Sequence, residues 1–133
     1  MGAVVDTSVL IELERNPSAA TRLPEGRRFV ALVSLAELQV GVEYAQGTAR
    51  GQRASFFDLV NREFEVVMPS IEIAKRVGRI SYLLRTGGKL VGAHDIWIAA
   101  TAMMLGEPVL TADVHSFQRV DGLTVLPWSP TEK

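Results

Sequence analysis

Four carboxylic acids stand where an α/β sequence often places its chemistry. Asp6 and Asp113 each directly follow a short apolar run. Glu37 lies near the start of a helical segment, and Asp95 precedes a nearly all-apolar one. If they converge, carboxylates about 5 Å apart repel by about 3 kcal/mol per pair at an effective dielectric near 20, so a bound cation or protonation must relieve the charge. Ligand sets made only of oxygen favour Mg²⁺ or Mn²⁺, and such sites commonly serve phosphoryl transfer.

Each acid also has a purely structural explanation. Asp6 and Asp95 stand where a side chain can cap a helix, because a carboxylate accepts hydrogen bonds from free helix N–H groups. The segment Ser34-Leu35-Ala36-Glu37 matches the capping box Ser-x-x-Glu, and Asp113 is suited to an Asx turn. On this interpretation the chain is a non-catalytic module that binds RNA or protein.

The order of apolar segments predicts how the acids are positioned. Strands are predicted over 3–5, 29–33, 64–68, 109–111 and 123–126. Helices are predicted over 7–14, 35–45, 50–62, 71–87 (capped by Ser70) and 95–105, with a short turn over 114–117. Continuous apolar strands separated by helices are typical of a parallel sheet covered on both faces. We therefore expect an α/β three-layer sandwich with a five-stranded parallel sheet, formed by a single domain over 1–133 in which 127–133 are a flexible tail.

Composition narrows the class of protein. A chain of 133 residues that is 47% hydrophobic corresponds to one domain. With no cysteine, a disulfide scaffold, a thiolate zinc site and a cysteine nucleophile are excluded. The start of the sequence lacks the pattern of a signal peptide, and no apolar stretch is long enough to cross a membrane, so we expect a cytoplasmic protein.

The charge balance alone does not decide whether the chain acts on a nucleic acid. The formal net charge of −1 is mild evidence against a nucleic-acid binder. Setting four acids aside as metal ligands changes the remaining formal charge from −1 to +3. Arg15, Arg85 and Lys89 would lie near these acids if the acids converge, and they are candidates for holding RNA.

Four short motifs resemble those of a known family. In chain order they are Val4-Val5-Asp6-Thr7-Ser8, Ser34-Leu35-Ala36-Glu37-Leu38-Gln39-Val40-Gly41, His94-Asp95-Ile96-Trp97-Ile98-Ala99-Ala100 and Leu110-Thr111-Ala112-Asp113-Val114-His115-Ser116-Phe117. Together they resemble the motifs of PIN-domain ribonucleases, in particular the VapC-type toxins of bacterial toxin–antitoxin pairs. The resemblance spans nearly the whole chain, and it is the order and spacing of all four motifs that makes it specific.

The resemblance implies a fold, an activity and partners. It implies a sheet in the order 3-2-1-4-5 and an endoribonuclease that depends on Mg²⁺ or Mn²⁺. By motif position, Asp6, Glu37, Asp95 and Asp113 would be the metal-binding and catalytic acids, and Thr111 a hydroxyl beside the fourth acid. The implied partners are an RNA substrate, a VapB-like antitoxin and a second copy of the chain in a homodimer, with a larger toxin–antitoxin assembly also open.

Two other phosphate-handling classes fit less well. A response-regulator receiver needs a phosphoaccepting Asp after the third strand, where this chain has Met68-Pro69. A haloacid-dehalogenase-like phosphatase needs a second Asp two residues after the first, where Ser8 stands. The predicted helices 35–45 and 50–62 carry enough apolar side chains to form a groove for an antitoxin helix or, equally, to belong to the core.

Overall fold

The computed structural model describes residues 1–132 and has the α/β sandwich predicted from the sequence. Within those residues the strands are β1 (Gly2–Val5), β2 (Arg27–Ala31), β3 (Glu65–Val67), β4 (Val109–Thr111) and β5 (Val125–Pro127). The α-helices are α1 (Thr7–Arg15), α2 (Leu32–Tyr44), α3 (Gly47–Glu63), α4 (Ile71–Thr86), α5 (Ala93–Leu105) and α6 (Val114–Gln118), with a 3₁₀ helix over Pro17–Arg22. All strand pairs are parallel in the order β3-β2-β1-β4-β5, which confirms the predicted topology.

The sheet has a hydrophobic core on each face. Successive residues of a strand point to opposite faces, so Val4 packs with α4, α5 and α6, whereas Val5 packs with α1, α2 and α3. The first core contains the fully buried Ile98 and Phe117, and the second contains the fully buried Leu10. Helices therefore cover both faces, as the continuous apolar strands predict.

Several predicted boundaries differ from the structure, and two of them lie beside the acids. Strand β2 ends at Ala31 and α2 begins at Leu32, so Ser34 is inside the helix and does not cap it. Helix α5 begins at Ala93 after Gly92, so Asp95 is its third residue and not its first. An apolar run at a strand–helix junction fits either element, which is why periodicity does not locate the boundary.

The C-terminal segment is packed as far as Trp128. Pro127 belongs to β5, and the Trp128 backbone N–H donates to the carbonyl of Thr111 at 2.9 Å. The indole of Trp128 is 9% exposed and donates to the carbonyl of Arg22 at 3.2 Å. Although both fall in the expected tail over 127–133, Pro127 ends β5 and Trp128 packs in the second core; Lys133 lies outside the described residues.

The strand order creates a crevice at one edge of the sheet. Strand β1 lies between β2 and β4, and the chain leaves β1 and β4 from neighbouring carboxyl ends. In open α/β sheets this reversal of strand order is where ligands bind. Between residues 1 and 132, no helix is long and apolar enough to span a membrane.

Candidate active site

Asp6 forms the floor of the crevice. It follows β1 directly, and its backbone N–H continues the sheet by donating to Leu110 at 2.9 Å. Its side chain is 3% exposed and accepts hydrogen bonds at Oδ2 from Ser8 at 2.6 Å and from Thr111 at 2.8 Å. Burial raises the pKa of the Asp6 carboxyl above its usual value, and these hydrogen bonds oppose that rise because they favour the ionised form.

Thr111 joins the ends of β1 and β4. Its hydroxyl donates to Asp6 and accepts the backbone N–H of Asp113 at 2.8 Å. Ser8 makes a parallel link, since its hydroxyl donates to Asp6 and accepts the backbone N–H of Ala112 at 3.1 Å. Two hydroxyl groups therefore hold the Asp6 carboxylate against the loop that carries Asp113.

Glu37 reaches the crevice from α2. Its Oε1 accepts a hydrogen bond of 2.6 Å from Thr7, whose hydroxyl is also 2.9 Å from the buried Ser34 hydroxyl. Its Oε2 lies 3.4 Å from Nδ1 of the exposed His94. One oxygen of Glu37 is thus fixed by α1, and the other faces the start of α5.

The Asp95 carboxyl is affected by the negative charges of the other three acids. Its pKa is raised to about 6, first by partial burial and then by the negative charges of Asp6, Glu37 and Asp113, while His94 acts in the opposite direction. Charges influence a pKa in this way only over short distances. The negative charges of Asp6, Glu37 and Asp113 thus act on Asp95, although these residues are distant along the chain.

The acids are not used as helix caps. Asp6 and Asp113 occupy the positions before α1 and α6, yet neither side chain accepts a capping hydrogen bond from its helix. Asp113 instead accepts a hydrogen bond of 3.1 Å from the hydroxyl of Ser116. By contrast, Ser70 caps α4 as predicted, by accepting the Ile73 N–H at 3.2 Å. Ser70 is therefore a helix cap, whereas the side-chain oxygens of Asp6 and Asp113 accept hydrogen bonds from hydroxyl groups.

The donor set suits a hard divalent cation, although the side chains do not form a finished coordination sphere. Within residues 1–132, no group of three or more His, Asp or Glu side chains is close enough to hold one ion. Bringing these carboxylates together without a counter-charge would be opposed by their mutual repulsion. The donors are carboxylate oxygens, which Mg²⁺ and Mn²⁺ prefer, and their accumulated negative charge is what a cation would offset.

The three cations predicted near the crevice have different positions. Arg15 lies at the far end of α1 and pairs with Glu12 at 3.6 Å. Arg85 and Lys89 lie at the end of α4 and in the loop before α5.

The motifs did not predict that Thr7 and Ser8 position acids, and Ser34, expected in a capping box, instead contacts Thr7. The usable signal was three hydroxyl residues placed next to the acidic ones.

Comparison with known proteins agrees with this geometry. A PIN domain family model matches residues 3–123. The chain is 33% identical over 128 residues to Ribonuclease VapC1 of Rickettsia felis, which covers 95% of this chain and 96% of that protein. It is 35% identical over 120 residues to Ribonuclease VapC5 of Mycobacterium tuberculosis, with coverage of 90% and 87%.

A solved structure shares the whole fold. VapBC-1 from nontypeable Haemophilus influenzae superimposes with a TM-score of 0.83 at 28% identity, covering 96% of this chain and 98% of that one. All four acids lie within residues 3–123, the range that the family model matches. On the family match and the identities together, this chain belongs to the PIN-domain family and, within it, to the VapC ribonucleases.

Proposed function

We propose that this chain is a divalent-metal-dependent endoribonuclease and the toxin of a toxin–antitoxin pair. Asp6, Glu37, Asp95 and Asp113 would hold Mg²⁺ or Mn²⁺, and Thr111 would position Asp6. The observation that carries the proposal is the gathering of four acids, distant along the chain, around the crevice where strand order reverses. The VapC relatives, named as ribonucleases, supply the substrate class.

Asp6 and Glu37 would have different roles in hydrolysis. When bound, the metal supplies a water of lowered pKa and offsets negative charge on the phosphate oxygens. Asp6 is held for ligation by the Ser8 and Thr111 hydroxyls, which leaves its Oδ1 free of those two contacts. Glu37 is held at Oε1 by Thr7, and its Oε2 is available to ligate or to orient the attacking water.

The test is RNA cleavage with and without divalent ions, comparing Asp6→Asn with Asp58→Asn. Asp58 is an exposed carboxylate on α3, so its variant removes the same charge away from the crevice. We expect Asp6→Asn to keep the fold and to lose more than about a hundredfold in activity, because it removes a direct ligand and indirect ones already cost about 10–100-fold. Asp58→Asn should cleave like the wild type.

Chelation by EDTA should stop cleavage, and added Mg²⁺ or Mn²⁺ should restore it. Full activity of Asp6→Asn in saturating Mg²⁺ would refute the assignment of the site. Undiminished cleavage in EDTA would refute the dependence on a metal.

A VapB-like antitoxin is the partner that we propose. Helices α1, α2 and α3 expose the large apolar side chains of Ile11, Val40, Tyr44 and Leu59. Of these, Leu59 also lines a cleft of about 640 Å³ between α1 and α3, beside Phe56. An amphipathic helix buries its apolar face in such a groove, and the solved relative is a VapBC complex.

Val40→Glu and Leu59→Glu should weaken co-purification with the antitoxin while leaving RNA cleavage unchanged, because both residues lie on helices outside the acid crevice. Retained co-purification in both variants would place the partner elsewhere.

The homodimer stays a prediction that size-exclusion chromatography with light scattering would test. Cytoplasmic action is proposed because that is where the RNA substrate would be.

A further inference from the structure

A second cavity lies beside the acid crevice, between α4, the loop over 87–92 and α5. Its volume is about 260 Å³. Its walls include two cations, Arg85 and Lys89, together with Ser81 and the indole of Trp97. Cations and hydroxyl groups are the usual contacts of a phosphate and a sugar, and an aromatic ring is the usual contact of an unpaired base.

The cavity is next to the acids without containing them. The cavity is lined by Ala93, Ile96 and Trp97, which flank Asp95 along the sequence in the first turns of α5. A helix with its side chains is about 10 Å across. A ligand in the cavity is therefore separated from the Asp95 carboxylate by the width of α5. It would therefore be a neighbour of the cleaved phosphodiester and not the cleaved group itself.

The two cations are available to a ligand. Both side chains are exposed, and among residues 1–132 neither forms an ion pair with a carboxylate. Arg27 and Arg50 differ, since they pair with Glu65 and Glu43. Two unpaired positive charges thus stand beside a crevice that is itself strongly negative.

The loop that forms the outer wall of the cavity is held by hydrogen bonds to α4 and to the end of α6. The Lys89 N–H donates to the carbonyl of Leu84 at 2.9 Å, which holds the loop to α4 after a turn at Gly88 with φ of +69°. The guanidinium of Arg119 donates to the carbonyl of Leu90, which holds the loop to the end of α6. A cavity whose wall is fixed in this way exists before a ligand arrives.

We propose that this cavity is a subsite for one unpaired nucleotide that flanks the cleaved bond in single-stranded RNA. Arg85 and Lys89 contact its phosphate, and Trp97 contacts its base. The inference rests on the proposed ribonuclease function, whose substrate it describes more closely. An unpaired nucleotide is the fitting occupant because only a base outside a duplex can enter a pocket and contact an aromatic side chain.

Tryptophan fluorescence can observe the cavity directly. The chain has two tryptophans, and Trp128 is buried on the other face of the sheet. In Trp128→Phe, Trp97 is the single reporter. Titration with a short single-stranded oligoadenylate in EDTA, which prevents metal-dependent cleavage, should quench Trp97 saturably. Trp97→Phe serves as the reverse experiment, in which the remaining Trp128 emission should not respond.

Arg85→Ala/Lys89→Ala should weaken oligonucleotide binding by about tenfold, a value within the range of single nucleotide contacts. It should also reduce the slope of log affinity against log salt by about 1.4, because each lost phosphate contact on a single strand contributes about 0.7. Arg79→Ala removes an exposed cation of α4 outside the cavity and should change neither quantity.

Cleavage kinetics separate this inference from the function on which it rests. In the presence of Mg²⁺ or Mn²⁺, the double variant should raise KM by about tenfold and leave kcat nearly unchanged, as expected for lost uniform binding. A wild type that cleaves, beside a double variant with unchanged KM or a Trp97 that does not respond to bound RNA, would overturn the subsite alone. Saturable quenching in a protein that cleaves no RNA with any divalent ion would overturn the proposed function and leave a nucleotide-binding cavity.

Discussion

The hydroxyl of Thr111 donates a hydrogen bond of 2.8 Å to Oδ2 of Asp6, a residue 105 positions away in the chain. The Thr111 hydroxyl oxygen also accepts the backbone N–H of Asp113 at 2.8 Å, and the Thr111 side chain is fully buried. This one group therefore stabilises the ionised form of a buried carboxylate and fixes its distance from the acid that follows β4. Asp6 would otherwise be a buried charge with few partners, which is costly.

Replacing Thr111 by valine tests that relationship with little change of shape. Thr111→Val removes a donor to a charged acceptor and leaves the Asp113 N–H without its partner, so we expect the free energy of unfolding to fall by about 1–3 kcal/mol. Cleavage should fall by about 10–100-fold, the usual cost of losing a residue that orients a ligand. Urea unfolding and RNA cleavage measure the two effects.

Thr111→Ser keeps the hydroxyl and is the matched control. Its cleavage should stay close to that of the wild type. Equal activity of Thr111→Val and the wild type would show that Asp6 needs no such support.

Removing the charge of Asp95 should make the metal-free protein more stable and less active. Asp6, Glu37 and Asp113 all act unfavourably on the ionised Asp95. In Asp95→Asn this repulsion is gone, so the Tm at pH 7.5 should rise by a few degrees, as relief of even about 1 kcal/mol would produce in a domain of this size. Thermal unfolding in EDTA measures it, with the exposed Asp58→Asn as the control that should show no gain.

Added Mg²⁺ or Mn²⁺ should reverse the order of the two Tm values, in which Asp95→Asn stands above the wild type without metal. The cation stabilises a folded state that binds it, so it should raise the Tm of the wild type more than that of Asp95→Asn. A divalent ion that shifts both proteins equally would contradict a role for Asp95 in holding it.

The stability gain of Asp95→Asn should depend on pH. The pKa of Asp95 is raised from 3.8 to about 6 in the folded chain, so the folded chain retains this proton in a range where the unfolded chain has lost it. The proton's contribution to stability is complete below the unfolded value and is lost as the pH rises through about 6. The difference in Tm between variant and wild type should thus be small near pH 4 and full above about pH 7. A constant difference over that range, measured without metal, would contradict the coupling.

Thr7 should control the orientation of Glu37. Its hydroxyl contacts Glu37 Oε1 and the buried Ser34, and Thr7 itself is 6% exposed. In Thr7→Val the carboxylate loses this contact, and we expect cleavage to fall by about 10–100-fold. Thr7→Ser retains the hydroxyl and should retain most of the activity, whereas equal activity of Thr7→Val and Thr7→Ser would show that Glu37 does not depend on this hydroxyl.

Much of the fold could be predicted because its signals are local. The continuous apolar strands 3–5 and 109–111 and the capping residue Ser70 each indicate their element without knowledge of the rest of the chain. Strand order came from the resemblance to PIN-domain ribonucleases. Where one apolar run serves two elements, as at Leu32 and Val33, the local signal is ambiguous, and the boundary follows from packing on the sheet.

The amino-acid sequence by itself determined the identity and the order of the acids and the parallel α/β class. Tertiary structure decided what those acids do to one another. Whether Asp6 caps a helix or accepts hydrogen bonds from Ser8 and Thr111, and whether Asp95 is affected by three other carboxylates, depends on distances between residues up to 107 positions apart. Such distances are set by strand pairing and core packing, because electrostatic and hydrogen-bond energies depend on separation in space and not on separation along the chain.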